Sequence, residues 1–474
     1  MTEASGSAPP AGGATGGAVD GARPDRAARL IDELMGLHPK GYDLSLGRIA
    51  RLLDRLGRPQ DRLPPVVHVA GTNGKGSTIA LMRAGLEAAG HRVHVHTSPH
   101  LVRWHERYRL ATGPGQSAHV ADAVLHDAIR RVAEANGGEA ITVFELLTAA
   151  GFVLFAEHPA DVALVEVGLG GRLDSTNVIE NKALTVITPV GLDHQSYLGD
   201  TLAAIAGEKA GILRRGVPLV VGEQDGEAMD AIERAAGRLG IVPVAFGEHF
   251  RAHEEGGRMV WQEEDGTGEG RLLDLPLPAL AGRHQIANAA TAVAALGVLA
   301  RRTGLAVPAS ALERGLRAAE WPGRLQRLAH GPLVAAAPKG AEIWLDGGHN
   351  GHAALALADH MAALAERAPR PLFLVAGMLD TKVPLDFFRP FAGLVRHAFT
   401  VPLSTTEAGV APERLAEWAR EAGLSAEPAG SAAAALGVLR RDWRWEPDHQ
   451  EGPRILVTGS LYLAGETLAG AAEA

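Results

Sequence analysis

Short β-branched and aliphatic runs alternate along this chain with longer Ala- and Leu-rich stretches, the pattern of strands and helices taken in turn. Val66-Val67-His68-Val69 predicts a buried strand, and Ser77 to Ala89 a helix ended by Gly90. Val93 to Thr97, Val162 to Val167, Leu184 to Thr188 and Pro218 to Val221 predict further strands, with a helix over Phe144 to Phe155. Such alternation builds βαβ units and a parallel sheet, and ligands gather at the carboxyl ends of strands in such sheets.

Upstream, Leu30, Leu34 and Leu37, then Ile49, Leu52, Leu53 and Leu56, keep helical spacing on either side of a break at Pro39-Lys40-Gly41. Ala245 to Leu280 changes character: alternating residues, Gly-Gly and Asp-Gly turns and prolines predict a small antiparallel excursion. A helix from Gln285 to Arg301 follows. Trp321-Pro322-Gly323-Arg324 then interrupts the pattern as an interdomain linker. Strands at Ile343 to Asp346, Leu372 to Ala376, Ala398 to Val401 and Ile455 to Thr458 predict a second α/β unit. The expected division is a disordered Gly/Ala/Pro tail over 1–24, a domain over 25–320, the linker at 321–324 and a C-terminal domain over 325–474.

Composition narrows the function. Hydrophobic residues make up 46 % of the 474 positions and charged ones 21 %, enough to bury a core. The net charge of −9 argues against a nucleic-acid partner, which needs a basic face. The absence of cysteine excludes disulfides, thiolate metal sites and thiol nucleophiles. No apolar run approaches the ~18 residues of a membrane span, and the acidic N-terminus has no signal-peptide core, so the expectation is a cytoplasmic protein without a membrane partner.

The strongest chemical motif is Val69-Ala70-Gly71-Thr72-Asn73-Gly74-Lys75-Gly76-Ser77-Thr78, a strand running into a glycine-rich loop and then a helix. Glycines let backbone N–H groups curl around phosphate oxygens, and the helix N-terminus adds its dipole. Lys75 can reach the outer phosphates of ATP, and the Ser77 hydroxyl can ligate Mg²⁺. The spacing departs from the usual P-loop, because Gly76 stands between the lysine and the hydroxyl residue. Glu166, at the end of an apolar strand, needs a partner if buried, and belongs at the same sheet edge as this loop. By residue type alone His194 is equally a hydrogen-bonded core histidine, Lys209 a solvated helical charge, Arg324 a surface arginine and Phe144 a core aromatic.

The loop Gly71-Thr72-Asn73-Gly74-Lys75-Gly76-Ser77 resembles that of the folylpolyglutamate and dihydrofolate synthases, relatives of the Mur peptide ligases. Further matching segments keep the family's order: Ser98-Pro99-His100-Leu101, Phe144-Glu145, Val165 to Asp174, Leu192-Asp193-His194, Glu208 to Ile212, Trp321 to Arg324, Asp346-Gly347-Gly348-His349-Asn350 and Gly459-Ser460-Leu461-Tyr462. Gly348 stands where an alanine is more usual. The resemblance implies a Mur-ligase-like α/β fold, a P-loop parallel-sheet ATPase domain followed by a smaller Rossmann-like α/β domain. It implies that Gly71 to Thr78, Asn288, Arg324 and Asp346 bind ATP, and that Ser77, Glu166 and His194 hold Mg²⁺. Lys209 would be carbamoylated and hold a second Mg²⁺. Lys75, His194, Lys209 and Arg324 would then carry catalysis. Ser98, Thr142, Phe144 and Asp174 would line the acceptor pocket, and His349 and Ser460 would hold the incoming glutamate.

The implied reaction is ATP-dependent ligation of L-glutamate to dihydropteroate, to folates, or to both, by a protein expected to be a monomer. A carboxylate is a poor electrophile; phosphorylation by ATP gives an acyl phosphate that an amine can attack. Two alternatives stand beside this. A Mur-type ligase would need a further N-terminal domain of ~100 residues, where only about 65 precede the loop here. A P-loop ATPase switch would have no use for a second α/β unit carrying Asp346, His349 and Ser460.

Overall fold

The computed structural model describes residues 25–35, 44–264, 270–443 and 451–472. The expected tail over 1–24 and the break at Pro39-Lys40-Gly41 lie outside the described residues.

Eight strands form the first sheet: β1 (Val66–Ala70), β2 (Val93–His96), β3 (Tyr108–Gly113), β4 (Gln116–His119), β5 (Val162–Glu166), β6 (Lys182–Ile187), β7 (Leu219–Val221) and β8 (Val244–Ala245). Their order is β4-β3-β2-β5-β1-β6-β7-β8, so the strand before the glycine-rich loop lies at the centre. Strands β1, β2, β5, β6, β7 and β8 run parallel. The central ones are buried on both faces, which is why apolar residues dominate them, with His68, Lys182 and Thr185 as buried polar exceptions. The hairpin β3–β4 departs from the all-parallel expectation, closing one edge antiparallel.

The excursion is a meander of β9 (Phe250–Glu255), β10 (Arg258–Glu263) and β11 (Arg271–Pro276), antiparallel throughout. Trp261 on β10 is almost fully buried and donates to the Ala290 carbonyl, 3.2 Å away, docking the meander on the helix His284–Thr303. A second sheet contains β12 (Gln326–Leu328), β13 (Glu342–Leu345), β14 (Leu372–Ala376), β15 (Val395–Thr400), β16 (Ala426–Pro428) and β17 (Arg454–Thr458). It has the order β12-β13-β17-β14-β15-β16 and is parallel except for β12.

The first helix, Arg26–Met35, is held at its start by two carboxylates. Asp25 accepts from the Ala28 N–H at 2.9 Å, and Asp122 accepts from Arg26 and Ala27 at 3.3 and 3.1 Å. No helix among the described residues is long and apolar enough to cross a membrane.

Candidate active site

Parallel strands put their carboxyl ends on one edge. On the first sheet that edge carries the loop after β1 (Gly71 to Gly74), Ser98 after β2, Glu166 at the end of β5, and the loop Pro189 to His194 after β6. On the second sheet it carries Asp346 to Asn350 after β13, Lys382 beyond β14 and Ser460 after β17. The two edges meet: Asn73 Nδ2 lies 3.2 Å from Asn350 Oδ1 and 2.8 Å from His352 Nδ1. The site is built on that seam.

Gly74 caps the helix Lys75–Ala88 at φ +80°, a conformation that favours glycine. Gly76, the unusual insertion, has a spatial reason. A Cβ there would sit 2.5 Å from Trp321 Cζ2, so the linker indole lies directly on the first turn of the helix. Lys75 Nζ folds back onto the Gly71 and Thr72 carbonyls, at 3.1 and 3.2 Å, and stands 3.9 Å from Glu166. Ser77 Oγ accepts from Gln285, and the Thr78 hydroxyl is buried with no hydrogen-bond partner.

Glu166 is buried, which pushes its carboxyl above the usual range against the opposing pull of Lys75. Its Oε2 accepts from the Ser98 N–H at 3.2 Å, and the Ser98 hydroxyl is a buried group without a partner. The Lys209 ammonium is buried, donates to the Gly71 carbonyl at 2.9 Å, and is pushed down to about 7 by burial. Lys209 is therefore no solvated charge. His194 begins the turn Gln195–Leu198 in a left-handed conformation, φ +53°, with 45 % of its side chain exposed, so it is no core histidine either.

Arg324 lies against Gly347 and near enough to Glu166 and Asp346 to pull both carboxyls down; it faces the seam, not solvent. Asp346 accepts from the Leu325 and Gly348 N–H groups at 2.8 and 2.6 Å and so ties the linker to the second sheet. Asn288 is buried, with its side chain against the Cα of Gly74 and bonded to Gln285 at 3.0 Å.

The acceptor and glutamate candidates divide. Phe144 is half-buried and covers Gly168. Thr142 caps the helix Val143–Glu157 in a reciprocal box with Glu145. Asp174 is buried, and its carboxylate takes the Leu169 and Thr176 N–H groups, both at 2.9 Å. Ser460 accepts from the Tyr462 N–H at 3.0 Å, as a helix-start hydroxyl does. His349 Nδ1 lies 2.9 Å from the Gly347 carbonyl, and its Nε2 3.4 Å from Asp193.

Two charged groups were not anticipated from sequence. Arg107 is buried beneath Trp104, 4.9 Å from the ring centroid, and donates to His100 at 2.9 Å. Asp193 bonds Lys382 at 2.6 Å and Asn350 at 3.0 Å across the seam. It is held far below the usual carboxylate range by His349, Lys382 and His194, against the cost of burial.

A glycine-rich loop between strand and helix, a buried carboxylate beside Ser98 with its unpartnered hydroxyl, and Arg324 at the seam, opposed by a second sheet edge, fit a nucleotide-dependent ligase of the Mur type. Comparison with known proteins narrows this. The folylpolyglutamate synthase of Lacticaseibacillus casei is 33 % identical over 424 residues, 88 % of this chain and 92 % of that protein. The dihydrofolate synthase/folylpolyglutamate synthase of Escherichia coli is 36 % identical over 358 residues, covering 75 % and 76 %. The E. coli enzyme in complex with DHPP and ADP superposes with a TM-score of 0.79 at 32 % identity, over 94 % of this chain and 97 % of that one. A bifunctional folylpolyglutamate synthase/dihydrofolate synthase with Mn, AMPPNP and L-glutamate bound gives 0.77 at 30 %, over 94 % and 97 %. No protein-family model matches the chain. The chain belongs to the folylpolyglutamate synthase/dihydrofolate synthase family of ligases.

Proposed function

We propose that this chain ligates L-glutamate both to dihydropteroate and to folates, through an acyl phosphate made from ATP. The observation that carries the reading is the meeting of the Gly71–Thr78 loop and Glu166 with the Asp346–Asn350 and Ser460 edge. One edge suits phosphoryl transfer and the other an amine donor. Residues 25–320 and 325–474 are read as the two domains, joined by 321–324.

The loop amides, Lys75 and Arg324 neutralise the triphosphate while the acceptor carboxylate approaches in line. Lys75 leaves the Gly71 and Thr72 carbonyls for the outer phosphates when nucleotide enters. Ser77 and Glu166 offer the oxygen donors that Mg²⁺ prefers, with the unpartnered Ser98 hydroxyl beside Glu166, and His194 would add an imidazole, an unusual donor for so hard an ion. Bound there, Mg²⁺ supplies charge stabilisation for the transferring phosphoryl group. Asn288 and Asp346 flank the nucleotide. Phe144 gives a flat acceptor ring an apolar face, with Asp174 and Thr142 shaping the surrounding loops. His349 and Ser460 receive glutamate, whose amine attacks the acyl carbon, and phosphate leaves.

Carbamoylation of Lys209 needs a neutral amine, and an amine held near 7 offers one at neutral pH where an ordinary lysine does not. The carbamate would turn a buried cation into a metal-binding anion.

The test is ADP release with ATP, Mg²⁺ and L-glutamate, adding dihydropteroate and tetrahydrofolate separately. ADP formation with both acceptors is expected. Formation with one alone would make the enzyme monofunctional, and none with either would overturn the reading.

A further inference from the structure

The five-residue span from Pro189 to Asp193 is tied at both ends, to different halves of the molecule. At its start the Thr72 and Asn73 N–H groups donate to the Pro189 carbonyl at 2.9 and 3.2 Å. Thr72 Oγ1 then exchanges two 3.0 Å bonds with the backbone of Gly191. These bonds fasten this part to the glycine-rich loop. At its end the Asp193 carboxylate takes Lys382 Nζ on Oδ1 at 2.6 Å and Asn350 Nδ2 on Oδ2 at 3.0 Å, with His349 Nε2 3.4 Å from Oδ2. Lys382 and His349 come from separate loops of the second sheet, after β14 and β13. One carboxylate therefore gathers two loops that flank the glutamate side of the seam.

The side chains of Asp193 and Lys382 are only 10 % and 8 % exposed, so this is no solvated surface pair. A covered ion pair contributes little net stability once desolvation is counted, but its geometry is specific and breaking it leaves a charge unpaired. Such a pair is suited to holding one arrangement of two domains. Hydrogen bonds from Asn73 to Asn350 and His352 make the second crossing of the same seam.

We infer that Asp193 is a positioning residue that couples occupancy of the nucleotide loop to the shape of the glutamate pocket, acting through Lys382 and His349. The inference rests on the ligase reading above. Nucleotide that orders Thr72 and Asn73 orders the span, and the span presents Asp193 to both partners. Binding linkage is reciprocal, so nucleotide should tighten glutamate and glutamate should tighten nucleotide by the same factor.

The experiment measures L-glutamate binding to the full chain by calorimetry, with and without Mg²⁺ and a non-hydrolysable ATP analogue. In the parent protein the analogue is expected to tighten glutamate by about tenfold or more. In Asp193→Asn that factor should fall to within about twofold of one, with the KM for glutamate rising far more than the KM for ATP. Lys382→Gln, which approaches the pair from the other side, should show the same split. The double variant should be no worse than either single one, because both remove one interaction. A merely structural role would lower the melting temperature and the active fraction while leaving the coupling factor intact, and that result overturns the inference. A parent protein with no acceptor-dependent ADP release would instead defeat the ligase reading, which separates the two failures.

Discussion

Gly76→Ala is the sharpest perturbation of the seam. The added Cβ would lie 2.5 Å from Trp321 Cζ2, 2.6 Å from Cε2 and 2.7 Å from Nε1. Carbon atoms in ordinary contact stand ~3.5–4 Å apart, so the indole must retreat by about 1 Å. Trp321 is also packed against the first domain's core and cannot swing away freely. Overpacking of this kind costs about 1–3 kcal/mol, partly offset by the roughly 1 kcal/mol that alanine gains over glycine in a helix. Stability should therefore fall by no more than about 2 kcal/mol. Catalysis should suffer more. Arg324 follows Trp321 by three positions, and displacing a group that positions reactants by about 1 Å can cost on the order of 100-fold in kcat. Steady-state ADP release and urea unfolding, run on the same preparation, read the two effects. Gly237→Ala is the control, since its Cβ would meet nothing within 4 Å inside the helix Gly226–Arg238. That variant should gain about 0.5–1 kcal/mol and keep its kcat. A Gly76→Ala enzyme with kcat within about twofold of the parent would refute the positional argument.

Glu166→Gln should abolish ligation yet stabilise the metal-free, nucleotide-free protein at pH 7. A carboxyl raised by burial binds its proton more tightly when folded, so its ionisation costs stability above the unfolded value near 4.5 and nothing well below it. The gain over the parent in urea melts should vanish below about pH 4, and a variant less stable at pH 7 would contradict it. For Lys209 the native amine loses its proton near 7 and the unfolded one near 10.5, so the unfolded state binds more protons between them and stability should rise with pH there. In CO₂-free buffer Lys209→Met should lack that rise. Removing dissolved CO₂ at fixed pH should also lower ligase activity, and full activity with an unmodified lysine mass would count against the carbamate. Asp122→Ala should cost about 1 kcal/mol by uncapping the helix Arg26–Met35, read by chemical denaturation with kcat unchanged.

The apolar runs of β1, β5 and β6 were legible because strands buried on both faces carry no polar alternation to confuse them. The hairpin β3–β4 was not, because Gln116-Ser117-Ala118-His119 is a short polar edge strand with most of its side chains in solvent. Lys75 and Glu166 lie 3.9 Å apart, and loop and strand end each carry a local pattern that points there; Lys209 carries none, and only the family resemblance singles it out. Asp193 lies inside a segment that matches the family, but the sequence gives it no role of its own. Its partner Lys382 is 189 positions away, and nothing local marks a carboxylate whose side-chain donors arrive from another sheet. Thr142 carries a readable local signal: Thr142 and Glu145, three apart before an apolar helix, spell a capping box. Gly76 looked like an irregularity in a motif and proved to be the imprint of Trp321.

On the proposed reading the catalytic groups are divided between two opposed sheet edges, so that neither half would own a working centre. Inhibition therefore does not require a mimic of ATP, pterin or glutamate. A compound that merely wedged the seam open, near Asn73 and Asn350 or beneath Trp321, would leave every substrate subsite free and still silence the chemistry. Resistance to such a wedge would have to arise in the seam itself, where Gly76 leaves almost no room to vary.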